Sequence, residues 1–200
     1  MNEAGFSKIA ILILAAGRSS RMGRPKQLLS WKKTTLIGNA VAIASSLTNH
    51  FLVVLGANAL KIKPYVPEGK ATLNEKWQEG MGSSLSHGVT ALASKYEPRA
   101  ILVMVADQPL LELEHYKGLI RSHQNNPNKI CSSSYGGIPG VPAIFPELFF
   151  KELKKLGADF GAKKLMKTLE ASVVMIETRG ELIDLDTPED YSLASSRLGE

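Results

Sequence analysis

The chain has one cysteine, Cys131, so it can build neither an internal disulfide nor a cysteine-rich zinc site, which suits a reducing compartment. Cys131 itself reads as a small, semi-buried residue of the segment "KICSSSY". Aromatic residues are scarce at 6%, and no long basic helix is evident, so the net charge of +5 and the pI near 9.3 lack the stacking platforms of a nucleic-acid binder. The longest uninterrupted apolar run, Ile9 to Ala16, is too short to cross a bilayer. The residues before it, "MNEAGFSK", have no basic leader region and no cleavage-like site, so a soluble, cytoplasmic protein is expected, without membrane or nucleic-acid partners. Acid is missing too: from Ala4 to Pro67 there is no Asp or Glu, while Lys8, Arg18, Arg21, Arg24, Lys26, Lys32, Lys33, Lys61 and Lys63 fall in that span. Nearly all carboxylates come later, which predicts a cationic wall facing acids from later segments and, as ligand, a small polyanion.

What is present is enough for one core. Two hundred residues at 44% hydrophobic content predict a single domain over residues 1–200, with no linker, repeat or low-complexity tract. "IAILILA" (9–15), "FLVVLG" (51–56), "AILVMVAD" (100–107) and "SVVMIET" (172–178) read as strands buried on both faces. Segments 35–49, 83–96, 113–126 and 146–157 read as amphipathic helices between them. This alternation predicts an α/β fold, a mostly parallel sheet with helices on both sides and ligands at the carboxyl ends of its strands. After Asn125 the pattern loosens: "NNPNK" is a turn, and the Gly- and Pro-rich "SYGGIPGVPAIFPE" is expected as loop or edge structure leading into a short strand "PAIF". "LIDLDTPEDYSLASSRL" predicts a short strand and then a helix with Thr187 as N-cap, Pro188 first and Asp190 third.

The loop "LAAGRSSRMGRPKQLL" (14–29) follows the first strand, where ligands bind. Gly17 and Gly23 permit positive φ and a close backbone approach, and Arg21 and Lys26 offer a forked donor and a mobile point charge to phosphate oxygens. It is not a Walker loop, because Gly17 and Gly23 stand one residue too far apart and Lys26 is followed by Gln27; nor is it a dinucleotide fingerprint. The competing reading is a solvated basic loop. Asp107, at the end of a buried strand, reads equally as a cap or as a metal ligand. Asp184 and Asp186 are two apart, which on a strand gives them one face, although one of them could simply support the Thr187 cap. "NEKWQEGMGSSL" places Asn74, Gly80, Gly82, Ser83 and Ser84 before a helix, as a loop with a serine cap or as backbone and hydroxyls brought to a ligand. No base accompanies these serines as nucleophiles. His87 reads as packing or surface, and His50, His115 and His123 as exposed.

The loop resembles the signature of nucleotidyltransferases with a glycosyltransferase-A-like fold, in particular the molybdenum cofactor cytidylyltransferase and guanylyltransferase group. The likeness continues in order through "NEKWQEGMGSSLSHGV", "VADQPLL", "GIPGVPAIF", "GADFGAKKLM" and "DLDTPEDY". It implies a three-layer α/β/α Rossmann-like sandwich and a loop wrapped around the triphosphate of an NTP. Arg21 would then lie against the β- and γ-phosphates, Lys26 against the α-phosphate and the acceptor phosphate, and the backbone of Leu14, Ala15, Ala16 and Gly17 against base and ribose, with Asn74, Gly80, Ser83 and Ser84 also on the nucleotide. Asp107 matches the family's metal-binding aspartate; Asp186 is favoured as second Mg²⁺ ligand with Asp184 as alternate. Gly140, Asp159 and Lys163 fall in segments resembling the acceptor pocket. Two departures touch that pocket: Val141 stands where cytidylyltransferase relatives commonly have His, and Lys163 where Arg is usual. Arg18 and Arg24 receive no role beyond solvation or long-range steering.

The resemblance therefore implies a Mg²⁺-dependent transfer of CMP from CTP to the phosphate of a molybdopterin-type cofactor, with release of pyrophosphate. A molybdoenzyme or its insertion chaperone is the expected protein partner. "LAAG" in place of the guanylyltransferases' usual "LAGG" leans towards cytosine. The alternatives are a guanylyltransferase, the same fold acting on a sugar phosphate or isoprenoid precursor, and a non-catalytic carrier of molybdenum cofactor.

Overall fold

A computed structural model of the protein describes residues 9–157, 160–178 and 183–197. The opening apolar run forms β1 (Ile9–Leu14), buried at every position. The basic loop after it leads to a small hairpin, β2 (Ser30–Trp31) with β3 (Thr34–Thr35), and to α1 (Leu36–Leu47), whose cap Thr35 accepts a hydrogen bond from the Gly38 N–H. There follow β4 (Phe51–Leu55), α2 (Ala59–Ile62), β5 (Ala71–Leu73), α3 (Met81–Tyr96), β6 (Ala100–Val105), α4 (Leu113–Asn125), β7 (Ile130–Tyr135) and β8 (Ile138–Pro146). The last elements are α5 (Phe150–Lys154), α6 (Ala162–Thr168), β9 (Val173–Ile176) and α7 (Pro188–Ser196). No helix among the described residues is long and apolar enough to cross a membrane.

Seven strands make one sheet in the order β5-β4-β1-β6-β8-β7-β9. β8 runs antiparallel to both of its neighbours, and the other adjacent pairs are parallel. Because side chains alternate across a strand, β1 feeds two cores at once. Ile9, Ile11 and Ile13 pack with α1 and α4 on one face, and Ala10, Leu12 and Leu14 with α3, α5 and α6 on the other. Each fully buried Leu or Ile of these layers is worth roughly 1.5–3 kcal/mol of transfer free energy. A third, smaller cluster joins Met22, Leu29, Trp31 and Leu36 to Leu185 and Ala194, tying the chain's end to the hairpin beside the basic loop.

The structure corrects several expectations. The expected strand "PAIF" forms, but "IPGV" before it is neither loop nor edge: it belongs to the same strand, β8, which lies inside the sheet between β6 and β7, with a cis peptide at Val141-Pro142 and a register shift opposite Ser132/Ser133. β7, hidden by three serines, is its partner. It turns into β8 through Gly136 and Gly137, whose φ values of 59° and 84° fit a two-residue hairpin loop that only glycine forms cheaply. Cys131 is therefore fully rather than partly buried. The helix expected over 146–157 is a 3-10 turn at Glu147–Phe149 and then the short α5. α3 starts at Met81 with Gly80, φ 106°, as its cap, so Ser83 and Ser84 lie within the helix and cap nothing. The strand expected before Thr187 does not form among the described residues 183–186; Leu182 lies outside them. Leu185 instead drops into the third cluster and ties its N–H to the Asp107 carbonyl at 3.0 Å. The Thr187 cap forms as expected, including the reciprocal bond to Asp190.

Candidate active site

The carboxyl ends of β1 and β6, paired in register from Ile9/Ala100 to Leu14/Val105, deliver the basic loop and Asp107 to one edge of the sheet. The loop is laced from within. Gln27, almost fully buried, donates from Nε2 to the carbonyls of Ala15 at 3.1 Å and Gly17 at 3.0 Å. Its Oε1 accepts from the Ser19 hydroxyl, whose oxygen accepts the Lys26 N–H at 3.1 Å. The left-handed positions are Gly23, φ 70°, and Ser19, φ 58°; Gly17 is not among them, and a Cβ there would meet nothing within 4 Å.

Lys26 Nζ forms ion pairs with Asp107 Oδ2 and, at 2.8 Å, with Asp186 Oδ1, while Arg21 Nη2 pairs with Asp186 Oδ2 at 2.7 Å. Cations from residues 21–26 and carboxylates from two later segments thus meet at one point, as the uneven charge along the chain leads one to expect. Burial alone would pull the Lys26 pKa down, but the two carboxylates outweigh it and hold it above the usual lysine value. Burial pushes Asp184 upward, and the Gln108 N–H bond to it only partly opposes this.

Two clefts meet along this ion cluster. The first, about 290 Å³, lies between the backbone of Ala15, Ala16 and Gly17 and the start of α3 at Gly80 and Ser84, with Trp77 and Arg18 at its rim. The second, about 380 Å³, is lined by Arg21, Gln108, Tyr135, Gly140, Lys163, Asp184 and Asp186. Leu14, Lys26, Met81, Val105 and Asp107 border both. A group transferred from a molecule in one cleft to a molecule in the other would pass beside Lys26 and Asp107.

Not every residue expected at the site lines a cleft. Asn74 is buried beneath the first: its Nδ2 donates to Ser83 Oγ at 3.2 Å and Ser84 Oγ at 3.1 Å, and its Oδ1 accepts the Lys76 N–H. Ser83 returns a bond to the Lys76 carbonyl. Asn74 and Ser83 therefore hold the turn, whereas Gly80 and Ser84 face the cleft. Gly82 makes its close approach to the chain itself, since a Cβ there would sit 1.9 Å from the Gly157 carbonyl oxygen. Asp159 lies outside the described residues. His115, expected at the surface, is buried, with Nε2 2.7 Å from Ser133 Oγ. His87 bonds Thr72 and is half-buried. Gln27, Trp77, Gln108 and Tyr135 escaped the sequence reading. A glutamine directly after a candidate catalytic Lys or Asp was the available signal for two of them.

Among the described residues no three His, Cys, Asp or Glu side chains cluster closely enough to hold a metal ion. Two carboxylates suffice for Mg²⁺, which completes its shell with phosphate oxygens and water. Asp107 and Asp186 fit that part: they share the Lys26 ammonium between them, and Asp107 Oδ1 is buried with no hydrogen-bond partner. Asp184 is engaged by Gln108 instead.

Residues 11–173 match the MobA-like NTP transferase domain. The chain is 30% identical over 195 residues to the purine catabolism protein PucB of Bacillus subtilis, covering 91% of this chain and 93% of that protein. It is 24% identical over 198 residues to the molybdenum cofactor cytidylyltransferase of Escherichia coli, covering 98% and 100%. A nucleotidyl transferase from Methanothermobacter superposes with a TM-score of 0.79 at 19% identity, over 95% of this chain and 97% of that one.

Proposed function

The chain belongs to the MobA-like NTP transferase family, with the glycosyltransferase-A-like fold, and we propose that within it the protein transfers CMP from CTP to the phosphate of a molybdopterin-type cofactor, releasing pyrophosphate. The observation that carries this reading is the pair of clefts joined at Lys26 and Asp107. The first cleft takes the nucleotide, with Leu14, Ala15, Ala16, Gly17, Gly80 and Ser84 against base and ribose and Asn74 and Ser83 fixing the turn behind them. The second takes the acceptor, with Gly140 and Lys163 on its wall; the place of Asp159 there is carried by sequence alone. The similarity to the E. coli cytidylyltransferase over the full length of both chains supports cytosine and a molybdopterin acceptor.

The chemistry needs no covalent enzyme intermediate, because the acceptor phosphate is already an anionic nucleophile. Its oxygen bonds to the α-phosphorus, and the bond from that phosphorus to the bridging oxygen breaks towards pyrophosphate. Lys26, at the border of the two clefts, holds the α-phosphate and the acceptor phosphate together, and Arg21 neutralises the departing β- and γ-phosphates. Asp107 and Asp186 would hold Mg²⁺, which supplies fixed positive charge to the phosphate oxygens. The product serves a molybdoenzyme directly or through its insertion chaperone, in the cytoplasm.

Incubation with Mg²⁺, each NTP in turn and molybdopterin, followed by measurement of pyrophosphate, tests the reading. Release with CTP and molybdopterin is expected; no release with any pair sinks it. Asp107→Ala should lower release by at least about 100-fold, the scale of losing one preorganised charge at a transferring phosphate, with cooperative unfolding retained. Activity within a few-fold of the parent would remove Asp107 from the metal site.

A further inference from the structure

One wall of the second cleft has no part in the transfer chemistry. Gln108 follows Asp107, lines the cleft and is only 3% exposed. Its Nε2 donates to Asp184 Oδ1 at 2.8 Å and to the Tyr135 hydroxyl, and that hydroxyl donates in turn to the Val141 carbonyl, which also lies 3.3 Å from Nε2. The donors of this group are thereby spent. The amide oxygen Oε1, also buried, has no hydrogen-bond donor among the described residues. A buried amide oxygen left unpaired is costly and rare in native proteins. Because Gln108 lines the cleft, an occupant that reaches this oxygen would supply the missing donor.

Asp184, held beside that amide, also lines the cleft and forms no salt bridge among the described residues. The wall therefore offers two adjacent acceptors in need of donors, and a carboxylate is best matched by paired N–H groups. Arg21, Lys26 and Lys163 supply positive charge elsewhere in the cleft, and Leu85, Val141 and Ala162 give it an apolar lining, which suits a flat ring better than a hydroxylated sugar. We propose that Gln108 and Asp184 read the non-phosphate part of the acceptor, accepting from neighbouring N–H donors on the edge of a flat heterocycle such as a 2-amino-4-oxo-pyrimidine ring, while the acceptor phosphate lies towards Lys26 and Lys163. This rests on the reading of the second cleft as the acceptor side.

The test needs no metal, nucleotide or turnover. Binding of neopterin monophosphate, a pterin with a phosphate monoester, is followed by its fluorescence; glycerol 3-phosphate, which has the phosphate and no ring, is followed by calorimetry. The parent should prefer the pterin by about tenfold or more, since a site built to hydrogen-bond a ligand rejects one lacking those groups. Gln108→Leu and Asp184→Asn should each cut that preference to below about threefold while changing glycerol 3-phosphate affinity by less than about twofold. A parent that binds neither ligand or does not distinguish them, variants that keep the preference, or equal weakening of both ligands would each overturn the proposal. Should Gln108→Leu fail to unfold cooperatively, Asp184→Asn reads the same ratio alone. Absence of pyrophosphate release from CTP and molybdopterin would count against the transfer reaction and leave this binding ratio to be judged separately.

Discussion

His115 is the residue at which physical chemistry and residue-type statistics part most clearly. It was expected at the surface of α4, yet it lies under the helix against β7, where the Ser133 hydroxyl donates to the Pro142 carbonyl at 2.8 Å and leaves its oxygen for the imidazole N–H. Burial holds its pKa down at about 4, against 6.5 for the free side chain. The unfolded chain therefore takes up a proton below pH 6.5 that the folded chain refuses until about pH 4. Stability from this group is complete above pH 6.5 and is lost as the pH falls towards 4, by up to roughly 3 kcal/mol. Urea unfolding of the parent and of His115→Leu at pH 7.5 and 4.5 isolates this loss, since the carboxylates are common to both. The parent's advantage should shrink on acidification; parallel losses would exclude His115 as the source. Sequence offered no warning, because a histidine on a helix shows its face only through its neighbours, and here the neighbour is a serine-rich strand that itself escaped notice. Arg21, Lys26 and Asp107 were legible for the opposite reason: each stands at the end of an apolar run or in a loop that has no structural need of charge.

Elements were legible where one signal dominated. β1, β4 and β6 are continuous apolar runs and form within a residue or two of where periodicity puts them. β5 and the β2–β3 hairpin are too short to show a period, and β7 and β8 are strands because each has a partner on both sides, across prolines and serines that locally favour loop. The segment before α7 failed in another way: its alternation of Ile183, Asp184, Leu185 and Asp186 imitates a strand, but one buried leucine and one backbone bond to Asp107 fix it without a ladder. The two aspartates nevertheless both line the second cleft. The α7 cap reaches further than its helix. Asp190 Oδ2 accepts from the N–H groups of both Thr187 and Asp186, so the box that starts α7 also holds the backbone of the carboxylate paired with Lys26. Thr187→Ala should cost about 1 kcal/mol of stability, the usual worth of such a cap. It should also lower turnover several-fold, because the carboxylate whose backbone it steadies is paired with both Arg21 and Lys26 where the two clefts meet. Unchanged turnover at the reduced stability would show that the cap serves the helix alone.

Across the whole molecule the separation of charge along the chain becomes a division of labour in space. Arg21 and Lys26 find their carboxylates, whereas Arg18, Arg24 and Lys61 form no salt bridge among the described residues and surround a shallow pocket of about 650 Å³ that meets the first cleft at Arg18, Trp77 and Gln78. Such an unneutralised rim raises the local concentration of an approaching polyanion and is screened by salt beyond about 10 Å at 0.1 M. Stopped-flow association of CTP should slow several-fold between 20 and 200 mM NaCl, and the double variant Arg24→Gln/Lys61→Gln should associate more slowly at low salt and depend less on salt. Identical slopes for parent and variant would remove the rim from the approach path. The small cluster that fastens Leu185 and Ala194 to Met22, Trp31 and Leu36 has a consequence in time as well as in space. Translation delivers the basic loop well before Asp186, so a ribosome that stalls after β9 has made every strand of the sheet and a lysine facing Asp107 alone. A chain cut after β9 would therefore keep every strand of the sheet and lack the carboxylate that pairs with both Lys26 and Arg21.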